Sequence, residues 1–163
     1  MQGPPTFLNW TLLLLGYSAL FSEDKERADR CFAEGVEIVL PPRTHTPSEP
    51  LKARAAFRRG DHRRAFAILR DHIDELLVTD NMQAGMMDCV EFITMMAATN
   101  RKREGAAVLR HLEGGHLLDT PGWRLLVAEP TAALAGQQAS GEITDDRTAL
   151  KFMRSVLDRL VAG

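Results

Sequence analysis

The chain offers little from which to build a sheet. Runs of Val, Ile and Thr alternating with polar residues are absent, and aromatic residues make up only 6% of its 163 positions, so strands have little support. Neither sign of charge is in excess. The net charge of −2 exerts no overall pull toward nucleic acid or a membrane surface. Cysteine is scarce: Cys31 and Cys89 lack metal-ligand spacing, fall inside expected helices, and read as buried free thiols of a reducing compartment. A phosphate-binding GxxxxGK(S/T) loop is missing. So is a basic helix-turn-helix after the last expected helix. Long apolar runs are also few. Phe7–Phe21 is interrupted by Asn9, Trp10 and Tyr17, is too short to span a bilayer, and has no Lys or Arg before it. Neither a membrane span nor a signal peptide is expected there, and the expected location is the cytoplasm.

What is abundant is helix-forming residues. Of the chain, 45% is hydrophobic, mostly Ala, Leu and Met, and 26% is charged, a globular composition rich in good helix formers. The length suits one domain with a real core.

One design recurs. Ala53–Arg70 reads as a helix end, a tight Gly60-Asp61 turn and a new helix. The pattern returns 40 residues later, where Asn100 matches Gly60 and Gly105 matches Ala65, and a weaker copy lies 37 residues earlier at Ala28. Each copy has a small residue early in its second helix, Ala28, Ala65 or Gly105, and a large apolar one four residues on, Phe32, Leu69 or Leu109. The small residue lets paired helices approach; the large one fills the groove toward the next pair. A lone hairpin cannot bury its apolar face, so the expectation is an all-α solenoid of stacked hairpins with about seven or eight helices.

The expected hairpins cover residues 6–39, 51–77 and 82–112 of a single domain spanning 1–163. The first helix, apolar around nearly its whole circumference, should be packed on more than one side. Leu40–Pro50 holds four of the eight prolines and reads as an extended, mobile linker. Thr79-Asp80-Asn81 is a stop-and-restart signal and Gly114-Gly115 a helix end. Two C-terminal helices follow, about 121–138 and 145–161, the first started by Thr120-Pro121 and kinked or split at Pro130, the second capped by Thr144.

Leu12, Leu15-Gly16, Ala19, Ala28, Phe32 and Pro41 sit where tetratricopeptide repeats prefer such residues. The second copy keeps Ala53, Ala65 and Leu69, and the third has Gly105 for the key alanine. The chain thus resembles a degenerate tetratricopeptide array, which implies a right-handed solenoid. A narrower resemblance covers the latter two thirds. Arg59-Gly60-Asp61, Ala65, Ile68-Leu69, Ala84, Thr99 to Arg101, Ala106 to Leu109, Leu112, Trp123 to Leu134, Ser140-Gly141-Glu142 and Thr144 to Ala149 run in an order similar to the C-terminal helical-repeat region of actinobacterial ATPase-coupled transcriptional regulators, of the LuxR and antibiotic-regulator types. That resemblance implies a repeat module that senses or docks beside a nucleotide-binding core. With no phosphate loop and no DNA-reading unit present, the chain is expected to be either an isolated piece of such a regulator or a stand-alone relative.

The candidate chemistry is thin. Arg54, Arg58, Arg59, Arg63 and Arg64 flank the Gly60 turn and suit an acidic peptide or phosphate, but a solvated turn is the favoured reading. Met82, Met86, Met87, Met95 and Met96 form a soft surface, for which core filling is favoured. Met87 and Met95 fall off the inward stripe and are expected in an exposed groove. His111, Glu113 and His116 straddle a glycine break and do not make a convincing metal set. His62 and His72 share no helix face, and nothing near Cys89 in sequence activates it.

The reading is a non-enzymatic interaction or sensory module. It binds a peptide, helix or small effector in a concave groove at Tyr17, Arg54, Phe57, Arg58, Met87 and Met95. No catalytic residue, metal or cofactor is assigned, and neither direct nucleic-acid nor membrane binding is expected. Partners are a protein, a peptide or other domains of a larger regulator. Two alternatives stay open. One is a homodimeric adaptor held by the apolar first helix; the other is a small enzyme with a deep pocket inside the superhelix.

Overall fold

Four-residue spacing of small and large apolar side chains favours paired helices, and helices are what form. The structure is a computed structural model that describes residues 5–22, 24–39, 48–115, 117–119 and 121–163. Among the described residues there is no strand. The helices are α1 (Pro5–Phe21), α2 (Lys25–Glu37), α3 (Ser48–Arg58), α4 (His62–Thr79), α5 (Met86–Ala97), α6 (Lys102–Gly114), α7 (Pro121–Leu134) and α8 (Asp146–Ala162), with short 3-10 turns at Met82–Gly85 and Leu117–Asp119.

Local chemistry sets the ends. Asp24 and Asp61 cap α2 and α4, their carboxylates accepting from the backbone N–H of Arg27 and Arg64. Gly60 takes φ +84° to reverse the chain between α3 and α4. Asp80 closes α4 in the left-handed region.

Several expected boundaries move. α3 starts at Ser48 rather than Leu51, because Pro50 falls in its first turn, where a missing N–H has no helical partner to lose. The rest of the proline-rich linker, 40–47, lies outside the described residues, as do Thr120 and His116. Asp145 rather than Thr144 caps α8, its carboxylate accepting from the Thr148 N–H, and as an anion it also suits the helix dipole. α7 runs unbroken through Pro130 and ends at Leu134, short of residue 138.

Three hairpins form as pairs: α1 along α2, α3 along α4 and α5 along α6. Ala28, Ala65 and Gly105 are buried, each beside its partner helix. A Cβ at Gly105 would stand 2.9 Å from Met96 Cβ and 3.2 Å from Leu134 Cδ1, and one at Gly16 would overlap the Phe32 ring. Close approach of helices is therefore what these small residues permit.

The later helices do not simply extend the row. α8 lies along α4 nearly as extensively as α3 does, while α7 packs on α5 and also touches α1 and α6. α5 is consequently surrounded by α3, α4, α6, α7 and α8. It is buried from Met87 through Ile93 and again at Met95 and Met96. An inward stripe that leaves out Met87 and Met95 is therefore narrower than what α5 buries.

Two cores result. The larger joins α3 through α8, and the smaller consists of Leu13, Ala19, Ala28, Phe32 and Leu51, with Tyr17 and Val36 against it. α1 is not packed all round as expected: Phe7 is 69% and Leu14 63% exposed, with Leu8 and Leu15 also outward.

Candidate functional site

Arg54, Phe57 and Arg58 on α3 stand at i, i+3 and i+4, and Glu91, Thr94 and Met95 on α5 repeat that spacing, so each trio occupies one helix face. The two faces meet α7 at Leu125, Leu126, Ala128, Glu129 and Pro130, and the three helices enclose a cleft of about 540 Å³. Its lining is mainly apolar with a few charged groups, the usual make-up of a small-ligand site.

At the bottom of the cleft lies a buried ion pair. Arg54 Nε donates to Glu91 Oε2 at 2.8 Å, and Nη2 lies 2.5 Å from Oε1. The Glu91 side chain is wholly buried and that of Arg54 is 13% exposed. Burial pushes the Glu91 carboxyl above the usual range, opposed by the charge and hydrogen bond of Arg54. The same guanidinium stands 5.6 Å from the centre of the Phe32 ring, and Phe32 meets Tyr17 edge-on at 5.1 Å. The Tyr17 hydroxyl donates to Met87 Sδ at 3.4 Å, and burial moves its pKa up. This chain of contacts runs from α1 and α2 through α3 to α5, along the seam between the two cores.

One turn away on α5, Asp88 is fully buried, with Oδ1 2.8 Å from His72 Nδ1 on α4 and Oδ2 lacking a hydrogen-bond partner. For His72, burial pulls the pKa down. The Asp88 hydrogen bond and charge, with Glu49 on α3 and Glu75 on α4 beyond, leave it above the ordinary imidazole value. Burial holds the Asp88 carboxyl above its ordinary range despite His72. A raised histidine pKa means the fold favours imidazolium. That contribution is fully present below about pH 6.5 and is lost as pH rises through the elevated folded value. The raised carboxyls act in the same direction at lower pH. The urea midpoint should therefore fall as pH climbs above about 6.5, and His72→Gln should flatten that slope. A wild-type midpoint that rises over this window would contradict the pairing.

The structure brings Arg54, Phe57, Arg58 and Met95 together around the cleft; Tyr17 and Met87 do not line it. The exposed groove expected at Met87 and Met95 is corrected. Both are buried, Met95 to 1% exposure, because α7 and α1 cover faces that a free-standing hairpin would leave open. Arg58 is exposed and pairs with Asp29 of α2. Phe57 stacks on His62, ring centres 4.3 Å apart.

Glu91, Thr94 and the α7 residues were not anticipated. The available signal was two carboxylates, Asp88 and Glu91, inside the apolar run Met86–Ala97. A charge there needs a buried partner. Cys89 is buried, and burial raises its thiol pKa, so thiolate chemistry is disfavoured. Among the described residues no group of three potential ligands could hold a metal ion, and no helix is long and apolar enough to cross a membrane.

The fold and cleft define an all-helical hairpin protein with a ligand-sized recess between α3, α5 and α7. No family model matches the chain, and neither a curated protein nor a solved structure does.

Proposed function

We propose that this chain is a non-enzymatic helical-repeat sensory module, its hairpins stacked in the tetratricopeptide manner, that binds a small organic effector in the cleft between α3, α5 and α7. The observation that carries this reading is the recess itself. Its roughly 540 Å³ volume suits a small molecule better than a partner helix, whose diameter alone is about 10–12 Å. The resemblance to the repeat region of ATPase-coupled transcriptional regulators supports a role in reporting occupancy to a neighbouring nucleotide-binding core. The two buried charged groups of the cleft, Arg54 and Glu91, are committed to each other, which favours binding over catalysis.

The test is a titration by heteronuclear NMR with three compounds sharing a phenylhexyl tail and bearing an amine, a hydroxyl or a carboxylate. Saturable shifts along α3, α5 and α7, lost when Ala128→Trp fills the recess, support the reading. Ala128 is exposed and lines the cleft, so that change leaves the core intact. If none of the three compounds gives saturable shifts, the effector-binding reading fails.

A second reading, a homodimeric adaptor, is favoured by α1. Phe7, Leu8, Leu14 and Leu15 are exposed at i, i+1, i+7 and i+8, one side of the helix over two turns, and α1 contains no charged residue. A second copy would meet this stripe without a mismatched charge. The exposed area of these four residues is on the order of 400 Å², below the roughly 800 Å² per partner of a standard interface. A weak dimer follows. Sedimentation should show a molar mass that rises with concentration in wild type and stays monomeric in Leu14→Glu; a monomer throughout would remove this reading.

A further inference from the structure

The polar groups of the cleft are unequally committed. Its two cations are already taken: Arg54 by Glu91 and Arg58 by Asp29. Glu129 is different. It lines the same recess and is exposed, and it makes no hydrogen bond or ion pair to any described residue. With Asp29 included, two guanidinium groups face three carboxylates, leaving one negative charge over.

Around Glu129 the lining is apolar: Phe57 of α3 and Leu125, Leu126 and Pro130 of α7. The cleft thus has a spare carboxylate and no spare cation, beside an apolar wall.

We propose that the effector of this cleft is a cationic amphiphile, an organic ammonium with an apolar body. Its ammonium is received by the Glu129 carboxylate, and its tail lies on Phe57 and Leu125. This rests on the effector-binding reading above and names the chemistry of that site. An anionic ligand would have to separate Arg58 from Asp29 and meet Glu129 unshielded. A neutral alcohol could donate its one O–H to Glu129 but would bring no charge to balance it.

The same three phenylhexyl compounds distinguish the outcomes by isothermal titration calorimetry. The amine should bind about tenfold more tightly than the alcohol and the carboxylate, and Glu129→Gln should erase that preference while leaving alcohol binding unchanged. If all three bind alike in the cleft, the effector site stands and the cationic assignment is overturned. If the carboxylate binds best, Arg58 has left Asp29 and the assignment is likewise overturned. If none binds, both this inference and the reading beneath it fail.

Discussion

Glu91→Ala lowers the unfolding free energy by about 3–5 kcal/mol, roughly 10 °C or more in melting temperature for a domain of this size. The cause is what stays behind. Arg54, only 13% exposed, loses both oxygens that neutralise it and keeps its position among Phe32, Tyr17 and α5. An unpaired guanidinium in that place must be rehydrated or dragged outward, and either disturbs the seam. Glu91→Gln costs less, since its amide oxygen still accepts one hydrogen bond. The double change Arg54→Met with Glu91→Leu recovers most of the loss, because removing both charges also removes both desolvation penalties. Chemical denaturation of the three variants checks this ordering. A single Glu91→Ala cost below about 1 kcal/mol would mean that the pair is solvated.

Gly105→Leu destabilises by about 2–3 kcal/mol net, despite a gain of about 1 kcal/mol from replacing a helical glycine. Met96 and Leu134 already stand 2.9 Å and 3.2 Å from where the Cβ alone would be. Met96 Cβ is fixed to its backbone and cannot swing aside, so α6 must back away from α5 and α7. Gly114→Ala is the matched control. It lies at the end of the same helix with nothing within 4 Å of the added carbon, and it should stabilise by up to about 1 kcal/mol. Opposite signs at these two glycines would separate packing from propensity. A neutral Gly105→Leu would place α6 farther from α5 than described.

The hairpins were legible because their signal is local: a capping aspartate, a turn glycine and a small residue where two helices touch. Asp61, Gly60 and Ala65 lie within six residues, and each does in space what its neighbours in sequence imply. The placement of α7 and α8 was not legible. An amphipathic pattern such as Leu150, Met153, Val156 and Leu157 states that a face is buried but not against what, and α8 returns to α4 across about seventy residues of chain. That return helps to make α5 central, while α7 and α1 cover Met95 and Met87 and reverse their reading. Arg54 was legible as a charge, and Glu91 as an oddity in an apolar helix. Only the fold puts them within reach of each other, as it does His72 and Asp88. The cleft shares this limit, since one of its walls is α7.

The partition into two cores has a consequence for how the molecule fluctuates. The α1–α2 hairpin closes its small apolar centre with Leu51 of α3 and leans on the remainder through a few further contacts, chiefly Phe32 with Arg54, Tyr17 with Met87, and Asp29 with Arg58. Such a unit opens by itself at a lower free energy than global unfolding. Its amides would exchange with solvent as a block while those of α5 stay protected. Because Arg58 and Arg54 belong both to that docking surface and to the wall of the cleft, whatever occupies the recess also sets how often the first two helices lift away.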